Sequence, residues 1–563
     1  MRKAIFFSVV TALQALAVPL ERRTAPTVTL SNGKVTGGIL SEVEYFNGIP
    51  YAQPPVGSLR LKAPQPITSN LGNVDGTNLL PKACPQFYQT TDTSELPSAA
   101  LGLLLDTPLF QTVSNAGEDC LTLNVIRPAG VSSSAKLPVL VWIFGGAFEL
   151  GSTQMYKGET LVQRSISLNA PIIYVAINYR VGGFGFLGGK EMAGNANLGL
   201  RDQRLALQWV QDNIASFGGD ASKVTIWGES AGAISVFDHT IINGGDNTYN
   251  GKPLFRGGIM NSGSIIPADP IDAPQPQGVY NTVVKNAGCS DTSDTLACLR
   301  AADYTTLLNA MNSVPAFLGY RSADLAYLPR PDPTDNFFPQ SPELAVAAGT
   351  YSKIPVIIGD QEDEGTIFSL FQGNITTNSE LIDYLTSAFD NNPNAKSLVT
   401  GLVATYPQDL GISGSPFGTT ILNNLYPQYK RLAAILGDLI FNLARRAYLA
   451  QVASSQPCWS YQASYLYGTP VLGTFHASDI LYSFGYFGDN VPTTTLQTAY
   501  IAFTNKLDPN ALGTSSPLIN WPKWTASSPQ LMKLSLLSNS LIKDDFRQDS
   551  YNYLTQHKSD FRT

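Results

Sequence analysis

Three histidines and five cysteines are all that a chain of 563 residues carries, so any imidazole base must be His239, His476 or His557. A basic surplus is also missing. Lys and Arg number 36 against 43 Asp and Glu, a net charge of -7, which argues against nucleic acid as a partner. Past the first residues no apolar run reaches the roughly 18 to 20 residues that a bilayer crossing needs. Fixed-period repeats and low-complexity blocks are absent, and the 37 prolines and 48 glycines are spread along the chain rather than gathered into a linker. Ordinary domain sizes would divide a chain this long, yet the even punctuation favours one large domain over residues 25–563.

What is present begins with an address. Arg2 and Lys3 precede an apolar run from Ala4 to Leu16, and Ala15-Leu16-Ala17 supplies the small residues of a cleavage site. Residues 1–17 therefore read as a secretory signal, and Glu21-Arg22-Arg23-Thr24 marks 18–24 as a short pro-segment with a dibasic site. An extracellular chain meets oxidising conditions, in which five cysteines suggest two disulfides and one thiol. Pairing nearest neighbours gives Cys84 with Cys120 and Cys289 with Cys298, leaving Cys458 in an apolar run as a buried thiol. The two closed loops would contribute about 4 and about 3 kcal/mol in a chain-entropy estimate. Asn374-Ile375-Thr376 is the one N-x-S/T sequon, a surface glycan site.

Short apolar runs rich in β-branched and aromatic residues occur at 137–144, 172–178, 224–227 and 354–358, as expected of strands buried on both faces. Between the second and third, residues 200–215 set Leu205, Leu207, Trp209, Val210 and Ile214 among charged and amide residues, the pattern of a helix covering a sheet. Phe217-Gly218-Gly219-Asp220 ends it. Strand alternating with helix indicates an α/β fold with a largely parallel sheet.

The apolar run Val224-Thr225-Ile226-Trp227 leads straight into Gly228-Glu229-Ser230-Ala231-Gly232, after which Ala233 to Phe237 continues as a helix. In a G-x-S-x-G elbow the serine occupies a strained turn, and glycines on either side let strand and helix approach without a colliding Cβ. With so many glycines the bare pattern is expected about a third of a time by chance, so the strand before it and the helix after it carry the weight. A serine hydroxyl needs a base. His239 would sit on the elbow's own helix, pointing away from the strand ends, as a surface or core residue. His557 lies in a polar C-terminal stretch where a mobile, solvated side chain is expected. His476, in Gly473-Thr474-Phe475-His476-Ala477-Ser478-Asp479 after the strand-like 459–465, is the best base.

Ser, then Asp or Glu, then His is the chain order of the hydrolases that use such an elbow, so an acid should follow a strand between 230 and 476. After 354–358 come Asp360, Glu362, Asp363 and Glu364, and spacing alone does not choose among them. An oxyanion hole needs backbone N–H groups from the residue after the nucleophile, Ala231, and from an earlier glycine-rich loop. Phe144-Gly145-Gly146-Ala147-Phe148, following an apolar strand, fits that loop; an ordinary tight turn is the alternative.

Together with Phe46-Asn47-Gly48-Ile49-Pro50-Tyr51-Ala52, Glu118-Asp119-Cys120-Leu121-Thr122-Leu123-Asn124-Val125, Asn178-Tyr179-Arg180 and Asp363-Glu364-Gly365-Thr366, these segments resemble the type-B carboxylesterase and lipase family. Within it they are similar to the secreted fungal Candida rugosa-like lipases and sterol esterases, over residues 25–563. The resemblance implies an α/β-hydrolase fold, Glu364 as the triad acid beside Ser230 and His476, and Gly145, Gly146 and Ala231 as oxyanion donors. It supports both disulfide pairs and implies no metal and no organic cofactor. It also implies a mobile lid inside the Cys84 to Cys120 loop, where residues 94–110 read as a short leucine- and alanine-rich helix with Ser94 as N-cap and Pro108 as stop. On composition alone a core helix is the stronger reading of that segment. An apolar lid that opens suits lipid aggregates and long-chain acyl or sterol esters, and its exposed face could also pair two copies into a homodimer. The expected reaction is two-step acyl transfer. The same residues would serve a carboxylesterase for short soluble esters, and the fold also supports cholinesterase-like binding modules without activity.

Overall fold

The computed structural model describes residues 24–88, 98–107, 113–389 and 392–561. The expected signal and nearly all of the pro-segment lie outside these, as do Ser94 and Pro108.

Eleven strands form one sheet: β1 (Gly38–Leu40), β2 (Val43–Pro50), β3 (Thr122–Pro128), β4 (Leu137–Ile143), β5 (Ile173–Ile177), β6 (Gly219–Glu229), β7 (Gly257–Asn261), β8 (Val356–Gln361), β9 (Cys458–Ala463), β10 (Gln530–Leu534) and β11 (Asn539–Lys543). Their spatial order is β11-β10-β9-β8-β7-β6-β4-β5-β3-β2-β1. From β5 across to β10 every pairing is parallel, and the outer strands pair antiparallel. Every residue of β5, β8 and β9 is buried, which is why β5 and the first half of β8 read as unbroken apolar runs rather than alternating ones. A smaller three-stranded sheet stands at the N-terminal end of the described chain.

The strand order reverses at β4, whose neighbours β5 and β6 both follow it in sequence and lie on opposite sides of it. Such a switch point opens a crevice beyond the carboxyl ends of the strands, and ligands of open α/β sheets bind there. The helix expected over 200–215 spans Leu198–Asn213, passes into one tighter turn at Ile214–Phe217 and stops at Gly218, whose φ of 87° favours glycine. A second apolar cluster, including Leu104, Phe317, Ile367, Phe368, Leu432 and Phe441, packs around the segments that follow β4, β8 and β9. Cys84–Cys120 and Cys289–Cys298 are disulfides, and Cys458 is a buried free thiol that burial pushes up to about 12. Among the described residues no helix is long and apolar enough to cross a membrane.

The carboxyl end of β8 is pinned by Arg445. Its guanidinium meets Asp360 at 2.9 Å and Asp544 at 2.7 Å, with all three side chains at most 1% exposed. Asp544 also accepts from Trp524 Nε1 and Arg446. Arg445→Met should leave two buried carboxyl groups without their shared cation, so unfolding free energy should fall by about 3 to 5 kcal/mol in chemical denaturation.

Candidate active site

Ser230 lies between β6 and α1 (Ala231–Ile241) with φ 55° and ψ -125°, a conformation that costs about 1 to 3 kcal/mol for a side chain with a Cβ. Hydrogen bonds on both sides hold it: its N–H donates to Asn261 O at 2.9 Å, and Ile234 N–H donates to Ser230 O at 2.9 Å. The flanking glycines are obligatory. A Cβ at Gly228 would stand 2.3 Å from the Gly232 carbonyl, and one at Gly232 would stand 2.0 Å from Ile143 O. Strand β4, strand β6 and helix α1 thus converge within backbone contact, leaving the serine partly exposed among buried neighbours.

His476 follows β9 and Glu364 follows β8, so adjacent strands deliver both to the same end of the sheet. His476 Nε2 is 2.8 Å from Ser230 Oγ, and Nδ1 is 2.5 Å from Glu364 Oε2. The other Glu364 oxygen accepts Gln361 N–H at 2.7 Å. Burial pushes the imidazole down to about 4, against the opposing pull of Asp479 and Asp360, so the ring is neutral near pH 7. Burial also pushes the Glu364 carboxyl up, with Ser262 and the Gln361 N–H opposing it. A base for Ser230 requires Glu364 to accept from Nδ1–H, which leaves the Nε2 lone pair facing the hydroxyl. The rings of Phe368 and Phe441 pack on the imidazole at centroid distances of 5.1 and 4.6 Å and shield this pair from water.

The four acids that spacing alone could not rank have different partners. Asp360 is held by Arg445. Glu362 faces Lys533 at 3.9 Å. Asp363 accepts from Ser415 Oγ, Phe417 N–H and Thr474 N–H at 2.8 to 2.9 Å, tying two loops together. Glu364 alone of the four meets His476. His239 is fully buried on α1 with Nε2 3.0 Å from Gln203 Oε1. The solvated tail expected at His557 is instead helical: His557 caps Gln548–Gln556, packs its ring on Tyr553 and pairs with Asp560, because that stretch puts an apolar side, Leu554 and Phe561, into the second cluster.

Gly145 and Gly146 follow β4 and abut the elbow, since a Cβ at Gly145 would stand 2.9 Å from Ser230 Cβ and 2.4 Å from Glu229 O. Ala231 opens α1, where first-turn N–H groups lack helical partners. Sequence reasoning missed three parts of this site. Ala147 and Phe148 both adopt left-handed φ values, 57° and 58°, immediately beyond the glycine pair. Phe441 reaches His476 from a π-helical turn at Asp438–Asn442. Glu229, inside the elbow, is buried with Oε1 3.4 Å from His476 Nε2, and burial together with Asp479 and Glu364 holds its carboxyl well above the usual range. Each depends on backbone geometry or on distant contacts, for which the local sequence has no mark.

The model of the carboxylesterase family matches residues 24–554. The chain belongs to the carboxylesterase family. It is 57% identical to "Secreted lipase 1" of Botryotinia fuckeliana over 97% of this chain and 95% of that protein. It is 46% identical to "Lipase 5" of Diutina rugosa over 97% of this chain and 99% of that one. Among solved structures, Aspergillus niger EstA matches with a TM-score of 0.78 at 25% identity, over 96% of this chain and 99% of that one. This carboxylesterase is accordingly a carboxylic ester hydrolase of α/β-hydrolase fold.

In such an esterase a depressed imidazole acting as the base would set the acid side of the pH profile. With His476 as the base that takes the Ser230 proton, activity would need the ring neutral, and kcat/KM should hold its plateau below pH 6.5 and fall only as pH approaches about 4; an acid limb centred near 8 would mean that Glu364 controls it instead. Gly232→Ala, which drives a Cβ into Ile143 O, should abolish activity and lower the yield of folded protein, read by thermal melting.

Proposed function

We propose that this carboxylesterase hydrolyses long-chain acyl esters at a lipid surface, using Ser230 as nucleophile, His476 as general base and then acid, and Glu364 to orient the imidazole. His476 takes the Ser230 proton as Oγ attacks the ester carbonyl. The resulting oxyanion is received by the N–H groups around Gly145, Gly146 and Ala231. The protonated imidazole returns its proton to the leaving alcohol, and water, activated by the same ring, releases the acid from the acyl-enzyme. The observation that carries this reading is the continuous row from Glu364 Oε2 through His476 to Ser230 Oγ.

The long-chain part rests on what surrounds the row. Inside the Cys84–Cys120 loop a helix spans Ser98–Asp106, and its Ala100 and Leu104 are buried in the cluster that holds Ala147, Ile367 and Phe368, while Leu105 is 55% exposed. A lid closed over the site would be seated in this way. A cavity of about 530 Å³ borders the π-helical turn that carries Phe441; Ile266, Leu325, Leu385, Leu436, Leu439 and Ile440 give it an apolar side that suits an acyl chain, and Asp269, Arg321, Asp324, Arg330 and Asp560 give it a charged one. Relatives whose names include "lipase" and "secreted" support lipid esters as substrates and an extracellular location. On this reading residues 1–17 are a signal, 18–24 a pro-segment and 25–563 one catalytic domain. Asn374 is exposed, as a glycan site requires. An open lid would bind the lipid–water interface or a second copy.

Ser230→Ala should lower kcat by about 10⁵- to 10⁶-fold while secretion and melting temperature stay unchanged; substantial residual turnover would reject the assignment. Hydrolysis rates for a long-chain triglyceride, a long-chain sterol ester and a soluble butyrate ester, with and without emulsion, test the substrate class. The two long-chain esters should be preferred and should gain from emulsion, whereas preference for dissolved butyrate would overturn the long-chain reading.

A further inference from the structure

Glu149 is a carboxyl group with no part in the reaction described, yet it is fully buried three residues beyond Gly146. It ends the Gly145–Gly146 turn, to which its own N–H is tied: Glu149 N–H and Leu150 N–H both donate to Gly146 O, at 2.9 and 3.1 Å. Its backbone carbonyl accepts Phe87 N–H at 2.9 Å, three residues beyond Cys84. Its side chain leaves the turn altogether, and Oε2 accepts the N–H of Phe317 at 3.2 Å. The Phe317 ring is 4% exposed and shares one apolar cluster with Ala147 of the turn and with Ala100 and Leu104 of the 98–106 helix. One residue therefore links the glycine turn, the start of the disulfide loop and the segment on which that helix is seated.

We propose that Glu149 is the positioning residue of the oxyanion turn, holding the Gly145 and Gly146 N–H groups in place through its side-chain bond to Phe317. This rests on the assignment of that turn to the oxyanion. Preorganisation matters here because a donor displaced by a fraction of an ångström stabilises the transition state less while leaving ground-state binding alone. Two left-handed residues in succession, Ala147 and Phe148, make the turn a conformation that the local chain would not keep unaided.

The surroundings of the carboxyl explain its protonation. Oε1 has no hydrogen-bond partner, and no cation pairs with the group among the described residues. The titratable group facing it is Tyr327, whose hydroxyl donates to Met311 O and whose own titration burial and Glu149 push upward. Burial pushes Glu149 up to about 8, so it is neutral at pH 7. Above that value an unpaired charge would form inside the protein, and the turn should loosen to let water reach it.

The test compares Glu149→Gln, which keeps an oxygen for Phe317 N–H without a titrating proton, with Glu149→Ala, which removes the acceptor. Steady-state kinetics on a soluble ester are measured alongside inhibition by a trifluoromethyl ketone, whose hemiketal places an oxyanion at the turn. Glu149→Ala should lower kcat by ten- to a hundredfold with KM within twofold, and weaken ketone inhibition by a similar factor. Glu149→Gln should restore kcat to within about threefold and lack the alkaline limb expected of the parent near pH 8. Equal loss in both variants, a rise in KM without loss of kcat, or unchanged ketone affinity in the alanine variant would each overturn the proposal. Melting temperatures separate a folding defect, and loss of activity on Ser230→Ala separates failure of the underlying assignment.

Discussion

Backbone strain at a single residue governs this molecule. Ser230 cannot present its hydroxyl beyond the sheet unless its chain reverses between β6 and α1 with φ near 55°, and the one local hydrogen bond at that turn, from Ile234 N–H to Ser230 O, does not hold it alone. The surrounding structure does. Helix α1 is buried along its whole length, strand β4 closes on it at Ile143, and Asn261 at the end of β7 accepts the serine N–H. The penalty of a few kcal/mol at the turn is set against the burial of a large core, and the glycines at 228 and 232 keep it from becoming a steric clash.

Around that turn the protein keeps charge scarce. Glu229, Glu364, Asp360 and Asp479 are all buried near His476, and burial raises each carboxyl toward its neutral form. The same burial holds the imidazole neutral at rest. These effects do not all point one way, since Asp479 and Asp360 favour the imidazolium that burial disfavours. On the proposed mechanism an imidazolium formed when the Ser230 proton moves to His476 would be disfavoured by burial and favoured by Asp479 and Asp360. Neutral at rest and charged only in passage is the condition a general base must meet.

How much of this could be read from residues depended on the range of the contacts involved. The elbow was legible because strand, turn and helix are contiguous, and the strands of the sheet centre because two-sided burial demands unbroken apolar runs. Strand β7, Gly257–Asn261, was not, since two of its five residues are glycines; Gly258 is small because Val236 of α1 packs 3.2 Å from where its Cβ would be. Among the four acids after β8, composition could not distinguish Glu364, because its role is defined by a ring 112 positions later. His557 misled for a related reason: a polar stretch reads as a free tail until the apolar cluster that receives Leu554 and Phe561 is known.

The helix at Ser98–Asp106 shows why composition could not separate a core helix from a lid, for a closed lid is a core helix. Ala100 and Leu104 are buried and Leu103 partly so, and burying a leucine side chain is worth about 1.5 to 3 kcal/mol. A seating energy near 3 kcal/mol would hold the open fraction in water at roughly 1%. If that helix is a lid, a lipid surface that accepts the same side chains would remove most of that difference, and opening would need no specific ligand contact. The disulfide between Cys84 and Cys120 ties both ends of the loop to the body, which lets such a helix leave its seat without unravelling the chain that carries it.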